Sequence, residues 1–373
     1  MIYVFTTCAL NYYPNAVLLA RSLEKFLPEA RRVVCIVDRD LGDTDPQADG
    51  FHEIYPLSAI ADHVPNLDQW LFQHTVMELA TAAKGFVLAD LLDRPDCDAV
   101  LFFDPDCEIH STCQTILDAV SRHSIVLTPH ANIPHVKDPW VFFELNTHRV
   151  GVFNGGFLGV RADQEGKAFG KWWRHRLTDY CLIDDKRRLF TDQKWLDLVP
   201  CYFDNVKVLR QPTMNLARWN TFQRKVEQTA DGTVLIDDAP ADFIHFSGFL
   251  KKGGYVRGLY DATSEKWCDD VGTLDALSEA YAERLAPFQA REDCSRDWGY
   301  GTYRDGVTIP DDHRRMYHQD RRLRKAFPNP FDGGEKLRKE LNRVERAPGP
   351  QTPEPRHARR RSLLSKLWKR IRS

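Results

Sequence analysis

An uninterrupted apolar run, Val100-Leu101-Phe102-Phe103, stops at two carboxylates one residue apart, Asp104 and Asp106, with Pro105 between them. A run of large apolar side chains without alternation reads as a strand buried on both faces, and so as part of a sheet covered by helices. In a parallel sheet, ligands sit beyond the carboxyl ends of the strands. The two acids would therefore project into a crevice, as a place for a hard cation. Asp-Pro-Asp is also ordinary turn chemistry, and alone the triplet leaves both readings open.

The chain before it supplies the sheet. Residues 2–7 read as a first strand, and 12–27 follow with Val17, Leu18, Ala20, Leu23 and Phe26 at helical spacing before Pro28 closes the helix. Residues 32–38 read as a second buried strand. This βαβ opening predicts a parallel sheet with right-handed crossovers and puts the loop 6–11 at the ligand-bearing edge. No Gly-x-Gly-x-x-Gly or Walker pattern follows the first strand, which disfavours a glycine loop that cradles phosphate. Residues 71–92 form a long helical pattern with the single lysine Lys84 among Thr81, Ala82, Ala83 and Phe86; a lone lysine in such a stretch usually snorkels to solvent.

Beyond the two acids, residues 125–127 read as another strand, followed by His130, His135 and Asp138 at a spacing too irregular for a metal site. Asn154-Gly155-Gly156 lies between two apolar stretches. Glycine there serves a hairpin or bulge, or lets backbone and the Asn154 amide come close to a sugar. Residues 165–180 form an amphipathic helix with Trp172 and Trp173, and Thr191-Asp192-Gln193 opens the next helical stretch, where Thr191 or Asp192 suits a cap. Residues 215–220, NLARWN, form an aromatic loop of no assigned role. A short strand then ends at His245, followed by Gly248, Lys251 and Lys252, the composition of an anion-binding loop.

A chain of 373 residues with 43% hydrophobic content is long enough for one large α/β domain with an appendage. Its formal net charge of −2 argues against a whole-protein nucleic-acid binder, and no nucleic-acid partner is expected. Nine cysteines without regular spacing fit reduced, partly buried thiols better than a disulfide framework. The first residues carry no basic region before their apolar run, so no secretory signal is expected, and no apolar run approaches the ~20 residues of a membrane-spanning helix.

In order and combination, these segments resemble the retaining glycosyltransferases of family eight and their bacterial relatives with the GT-A fold. The motifs are the first-strand loop, the helix with Lys84, Asp104-Pro105-Asp106, Asn154-Gly155-Gly156, Asp192-Gln193, and His245 with Gly248 and Lys251. The resemblance covers roughly residues 2–252 and implies a Rossmann-like, mixed but mainly parallel sheet flanked by helices. It implies that Asp104, Asp106 and His245 hold Mn²⁺ or Mg²⁺; an imidazole among the ligands leans towards Mn²⁺. It implies further that Lys84 and Lys251 contact the donor, that Thr6, Thr7 and Asn11 receive the nucleotide, and that Asn154, Gly155 and Gly156 line the sugar pocket. Asp192 would hold sugar hydroxyls and Gln193 would sit beneath the anomeric carbon, where an amide is a poor covalent nucleophile. The donor would be a nucleotide-diphosphate sugar, a UDP-sugar by default, and the acceptor a glycan or lipid-linked sugar in bacterial surface polysaccharide synthesis.

The expected organisation is a catalytic domain at 1–260, an extension at 261–335, and a linker with a basic tail at 336–373. In the tail, residues 356–373 carry eight arginines and lysines without one acid, and Leu363, Leu364, Leu367, Trp368 and Ile371 fall on one helical face. Such a helix suits an anionic membrane surface, which would make the enzyme cytoplasmic and peripheral on the inner face of the membrane. Two other readings compete. A haloacid-dehalogenase-type phosphatase also places Asp-x-Asp after an apolar strand, but wants Thr or Val where Glu108 stands; a non-catalytic glycan-binding protein could share the fold.

Overall fold

A computed structural model describes residues 1–134, 140–221, 224–247 and 271–346. His135, Asp138, Gly248, Lys251, Lys252 and the linker and basic tail from 347 onwards lie outside the described residues. The chain opens with β1 (Ile2–Cys8), α1 (Tyr13–Phe26) and β2 (Arg31–Ile36), the expected βαβ unit, with β2 parallel to β1 in register Phe5 to Val33. The short β3 (Glu53–Ile54) extends this edge. The expected helix over 71–92 is instead two, α2 (Leu67–Phe72) and α3 (Val76–Leu92). The break has a local cause: Thr75 and Glu78 form a capping box that starts α3 afresh.

The apolar run is β4 (Ala99–Phe103), fully buried and parallel to β1. After the two acids come β5 (Cys107–Ile109), α4 (Gln114–Arg122), β6 (Ile125–Pro129), α5 (Trp140–Val150) and β7 (Phe153–Arg161). β7 runs antiparallel between β4 and β6, so the sheet is mixed. Next are α6 (Gln164–Tyr180), the small hairpin β8 (Ile183–Asp184) and β9 (Leu189–Phe190), α7 (Gln193–Leu196), α8 (Val199–Tyr202) and β10 (Val206–Val208). The central order is β10-β6-β7-β4-β1-β2-β3, seven strands, mainly parallel and flanked by helices as expected. Asn154-Gly155-Gly156 lies inside β7 and not in a hairpin turn, close to a register shift in its pairing with β6.

The rest of this unit is β11 (Val226–Gln228), β12 (Val234–Ile236) and β13 (Ala239–Pro240), a small antiparallel sheet, then β14 (Phe243–His245) and α9 (Val271–Gln289). The helices α3 and α6 approach closely because Gly85 and Gly170 face one another's helices: a Cβ on Gly85 would lie 2.9 Å from Arg174 Cα. The described chain divides into two compact units, residues 1–301 and a second beginning at Thr302. In the first, the Gly- and Tyr-rich segment after 297 packs on the end of β2, Trp298 Nε1 donating to Val37 O and Gly299 N to Asp38 Oδ1. The second holds α10 (Asp311–Gln319), α11 (Arg321–Ala326) and α12 (Gly334–Arg346) around buried Tyr303, Tyr317, Leu323, Phe331 and Leu337. Among the described residues no helix is long and apolar enough to cross a membrane.

Candidate metal and sugar-nucleotide site

The edge at the carboxyl end of β4 is shaped by backbone pairing. Asp104 N donates to Gly156 O at 2.8 Å, and Cys107 N returns to Asp104 O at 2.9 Å, so the Asp-Pro-Asp segment is a true turn as well as a pair of acids. The turn delivers the chain into β5, which pairs antiparallel with β14 so that His245 stands opposite Cys107. Phe246 N donates to Asp106 O at 2.7 Å, locking that register. His245 Nε2 thereby lies 3.0 Å from Asp106 Oδ1 and 3.7 Å from Asp104 Oδ2. One ligand atom from each of the three residues falls within 4.8 Å of the others. Two carboxylates and an imidazole so placed fit a divalent cation, and the buried His245 and Asp106 offer it little competing water.

Gly156 is required by this arrangement. A Cβ there would lie 2.4 Å from His245 Cε1 and 2.6 Å from its Nδ1, so a side chain would push the imidazole out. Tyr12, at the end of the first loop, donates its hydroxyl to Asp106 Oδ2 at 3.0 Å. Burial pushes Asp106 up, but the His245 charge and the hydrogen bonds from His245 and Tyr12 outweigh it and hold the carboxyl below its usual range. Asp104 is raised, chiefly by burial, with Lys84 and His245 opposing.

Lys84 does not snorkel. Its ammonium is buried and donates to Asp104 Oδ1 at 3.0 Å, Gly155 O at 3.1 Å and Asp192 Oδ2 at 3.1 Å. Burial disfavours its charge, yet the two carboxylates more than compensate and raise it above the ordinary lysine value. The cap expected at 191–192 is corrected in the same way. Asp192 occupies the cap position of α7 but makes no capping hydrogen bond, because its carboxylate is turned to Lys84. Thr191 before it sits at φ 47°, a left-handed conformation uncommon outside glycine and asparagine, and Trp173 Nε1 holds Asp192 O at 3.3 Å.

Gln193 is tied at both ends of its amide: Oε1 accepts from Gly155 N at 2.8 Å and Nε2 donates to Val150 O at 3.0 Å. Asn154 Oδ1 accepts from Gly156 N and Asn215 Nδ2, which orients its amide nitrogen towards His130 Nε2 at 3.2 Å. Gln193, Asn154, His130 and Gly155, with Thr7 and Asn11, line one cavity of about 600 Å³ that also contains Asp104, Asp106, Asp192 and His245. Thr7 reaches its wall, but its hydroxyl donates to Ala80 O at 2.8 Å. Thr6 is buried and stands outside the lining residues of the cavity.

Three contributors escape a reading of motifs. Tyr12 looks like the start of a helix, His130 like part of an irregular loop, and Trp219 like an unassigned aromatic. Trp219 packs edge-on against both His245 and His130, with ring centroids 5.2 Å and 5.6 Å away. The one sequence signal for this corner is the asparagine frame of NLARWN: Asn220 Nδ2 donates to Asn215 O, and Asn220 Oδ1 accepts from Ala217 N.

No family model matches the chain. It is 32% identical over 171 residues to the uncharacterized protein YfnD of Bacillus subtilis (strain 168), a stretch covering 45% of this chain and 52% of that protein. It is 27% identical over 202 residues to YfnF of the same organism, covering 54% of this chain and 64% of the relative. The chain thus spans between half and two thirds of the length of these relatives. Among solved structures it is similar to the galactosyltransferase LgtC in complex with donor and acceptor sugar analogues, at 14% identity and a TM-score of 0.40, covering 77% of this chain and 96% of that one.

Proposed function

We propose that this protein is a metal-dependent glycosyltransferase that moves a hexose from a nucleotide-diphosphate sugar to a glycan or lipid-linked acceptor, with retention at the anomeric carbon. The observation that carries the reading is the convergence of Asp104 and Asp106, from the turn between β4 and β5, with His245, from β14, on one point of a cavity that also holds Lys84, Asp192 and Gln193. Asp104, Asp106 and His245 would hold Mn²⁺ or Mg²⁺, which when bound offsets the negative charge that develops on a leaving diphosphate.

The chain's own groups have separable roles. Lys84 keeps Asp104 and Asp192 in fixed positions and cancels part of their charge, so that a sugar can lie against them. The open backbone at Gly155 gives the sugar ring room next to Asp192, where a Cβ would stand 3.0 Å from Oδ2. Lys84 takes Asp192 Oδ2, and Oδ1 would accept from a sugar hydroxyl. Gln193, with both amide ends held by backbone, presents a fixed dipole beneath the anomeric carbon. Front-face attack, with a leaving-group oxygen taking the acceptor's proton, suits this amide better than a covalent ester. Against the phosphatase reading, Glu108 is engaged in an ion pair with Arg284, outside this cavity.

Thr7, Asn11 and Lys251 as donor contacts, with Thr6 behind the cavity wall, the domain limits at 260 and 335, the surface-polysaccharide role, and a cytoplasmic, membrane-peripheral location through the basic tail belong to the same proposal. A panel of sugar nucleotides with Mn²⁺, read by thermal stabilisation and slow hydrolysis, tests it: one donor should raise the melting temperature and be hydrolysed only with metal. The tail is tested in the full-length chain, since charge reversal at Arg359, Arg360 and Arg361 should release it from anionic liposomes.

A further inference from the structure

The loop 215–220 is the one prominent motif that the proposed reaction does not yet use, and it is built more rigidly than an idle loop needs. Asn215 takes a left-handed conformation at φ 51°, and its amide nitrogen donates to Thr128 Oγ1 and Asn154 Oδ1, both at 2.9 Å. Asn220 is fully buried and closes the loop onto Asn215 O and Ala217 N. Leu216 N donates to Phe243 O and His245 N to Leu216 O, so the loop is bonded to the strand that presents His245. Arg218 and Trp219, at its crest, both line the cavity.

Arg218 Nε and Trp219 Nε1 are shut off from solvent and find no hydrogen-bond partner among the described residues. A buried donor left without an acceptor is costly, and two such donors side by side on a preorganised loop call for an acceptor that the described residues do not supply. No described carboxylate pairs with Arg218. The cavity's acids are engaged elsewhere, Asp104 and Asp192 with Lys84, and Asp106 with His245 and Tyr12. A guanidinium with indole N–H beside it matches a planar or tetrahedral oxyanion, which accepts a forked pair of charge-assisted bonds.

We propose that Arg218 and Trp219 form an anion subsite in the cavity, taking a carboxylate or phosphate of the substrates. The inference rests on the glycosyltransferase reading. The same chemistry has two sources: the diphosphate of the donor, or an acidic group on the acceptor, such as a uronate carboxylate or a sugar phosphate.

The test uses the full chain with Mn²⁺ and the variants Arg218→Gln and Arg218→Lys. In one arm, calorimetry measures binding of UDP. In the other, with UDP and Mn²⁺ saturating, NMR titration measures binding of glucuronate against glucose as its neutral control. Arg218→Gln should weaken one anionic probe by about tenfold or more, with Arg218→Lys recovering part of the loss and glucose unaffected. Loss in the UDP arm assigns the donor diphosphate; loss in the glucuronate arm assigns an acidic acceptor. Unchanged affinity in both arms overturns the subsite, as does an equal loss of Mn²⁺ affinity in Arg218→Gln, which would mark a structural role. Neither outcome touches the reading of the reaction, which fails on its own if Asp106→Asn keeps full Mn²⁺ affinity. Should Arg218→Gln not fold, Trp219→Phe removes the indole N–H while keeping a smaller aromatic ring in its place and is expected to weaken the same probe.

Discussion

Lys84 Nζ lies 3.1 Å from Asp192 Oδ2 with both side chains only 3% exposed, so a cation from α3 and an acid from the start of α7 are paired 108 residues apart in the chain. The pair is a trio with Asp104, whose Oδ1 is 3.0 Å from the same ammonium. Removing one partner of such a group leaves buried charge without compensation, which costs about 3–5 kcal/mol.

Lys84→Met should therefore destabilise the first unit by about that amount and abolish turnover. Asp192→Asn keeps an acceptor for the ammonium and should lose less stability while still losing turnover. Denaturant melts of both variants alongside donor hydrolysis check the pair, and a Lys84→Met protein as stable as wild type would show that the ion pair holds nothing together.

Gly156→Ala should weaken Mn²⁺ binding by roughly 10–100-fold, the range typical when a ligand's support is disturbed, because its methyl group would occupy the space of the His245 ring. Gly232→Ala is a useful contrast, since nothing stands within 4 Å of its Cβ, although its φ of 87° strains any side chain. Manganese titration by electron paramagnetic resonance separates the two: Gly156→Ala loses metal, Gly232→Ala keeps it.

Acid should destabilise the protein in a window set by His130. Burial holds its pKa down to about 4, against 6.5 for the free side chain, so the unfolded chain takes up a proton that the folded one refuses. Its contribution is present above pH 6.5 and drains away as pH falls towards 4, at up to about 1.4 kcal/mol per pH unit. His130→Gln should flatten that limb of the stability curve measured by urea melts between pH 4 and 7. An unchanged slope would place the acid sensitivity elsewhere.

How far the fold could be read from residues alone depends on the range of the interaction involved. The βαβ opening and the strand 99–103 rest on local apolar patterns and appear where those patterns place them. The split between α2 and α3 is also local, written in Thr75 and Glu78, but the apolar periodicity running through it disguises the capping box. Lys84 defeats the snorkelling rule because residues 82–89 of α3 are all buried where the helix packs against α6 and the sheet, so its lysine has no route to water and must find acids instead. Asp192 defeats the capping rule for the same reason, since the nearest unmatched charge is Lys84 and not the helix dipole. The meeting of Asp106 with His245 depends on the register of β14 against β5, a pairing of distant segments that no local pattern encodes. Tyr12 and Trp219 enter the site through that same tertiary geometry.

The central claim is that Asp104, Asp106 and His245 bind one divalent cation. Isothermal titration of Mn²⁺ into the full chain, alongside Asp106→Asn and His245→Ala, tests it most directly. A single Mn²⁺ should bind the native protein, and each variant should lose about a hundredfold or more in affinity while keeping its far-UV circular dichroism. Equal Mn²⁺ affinity in native protein and both variants would contradict the account.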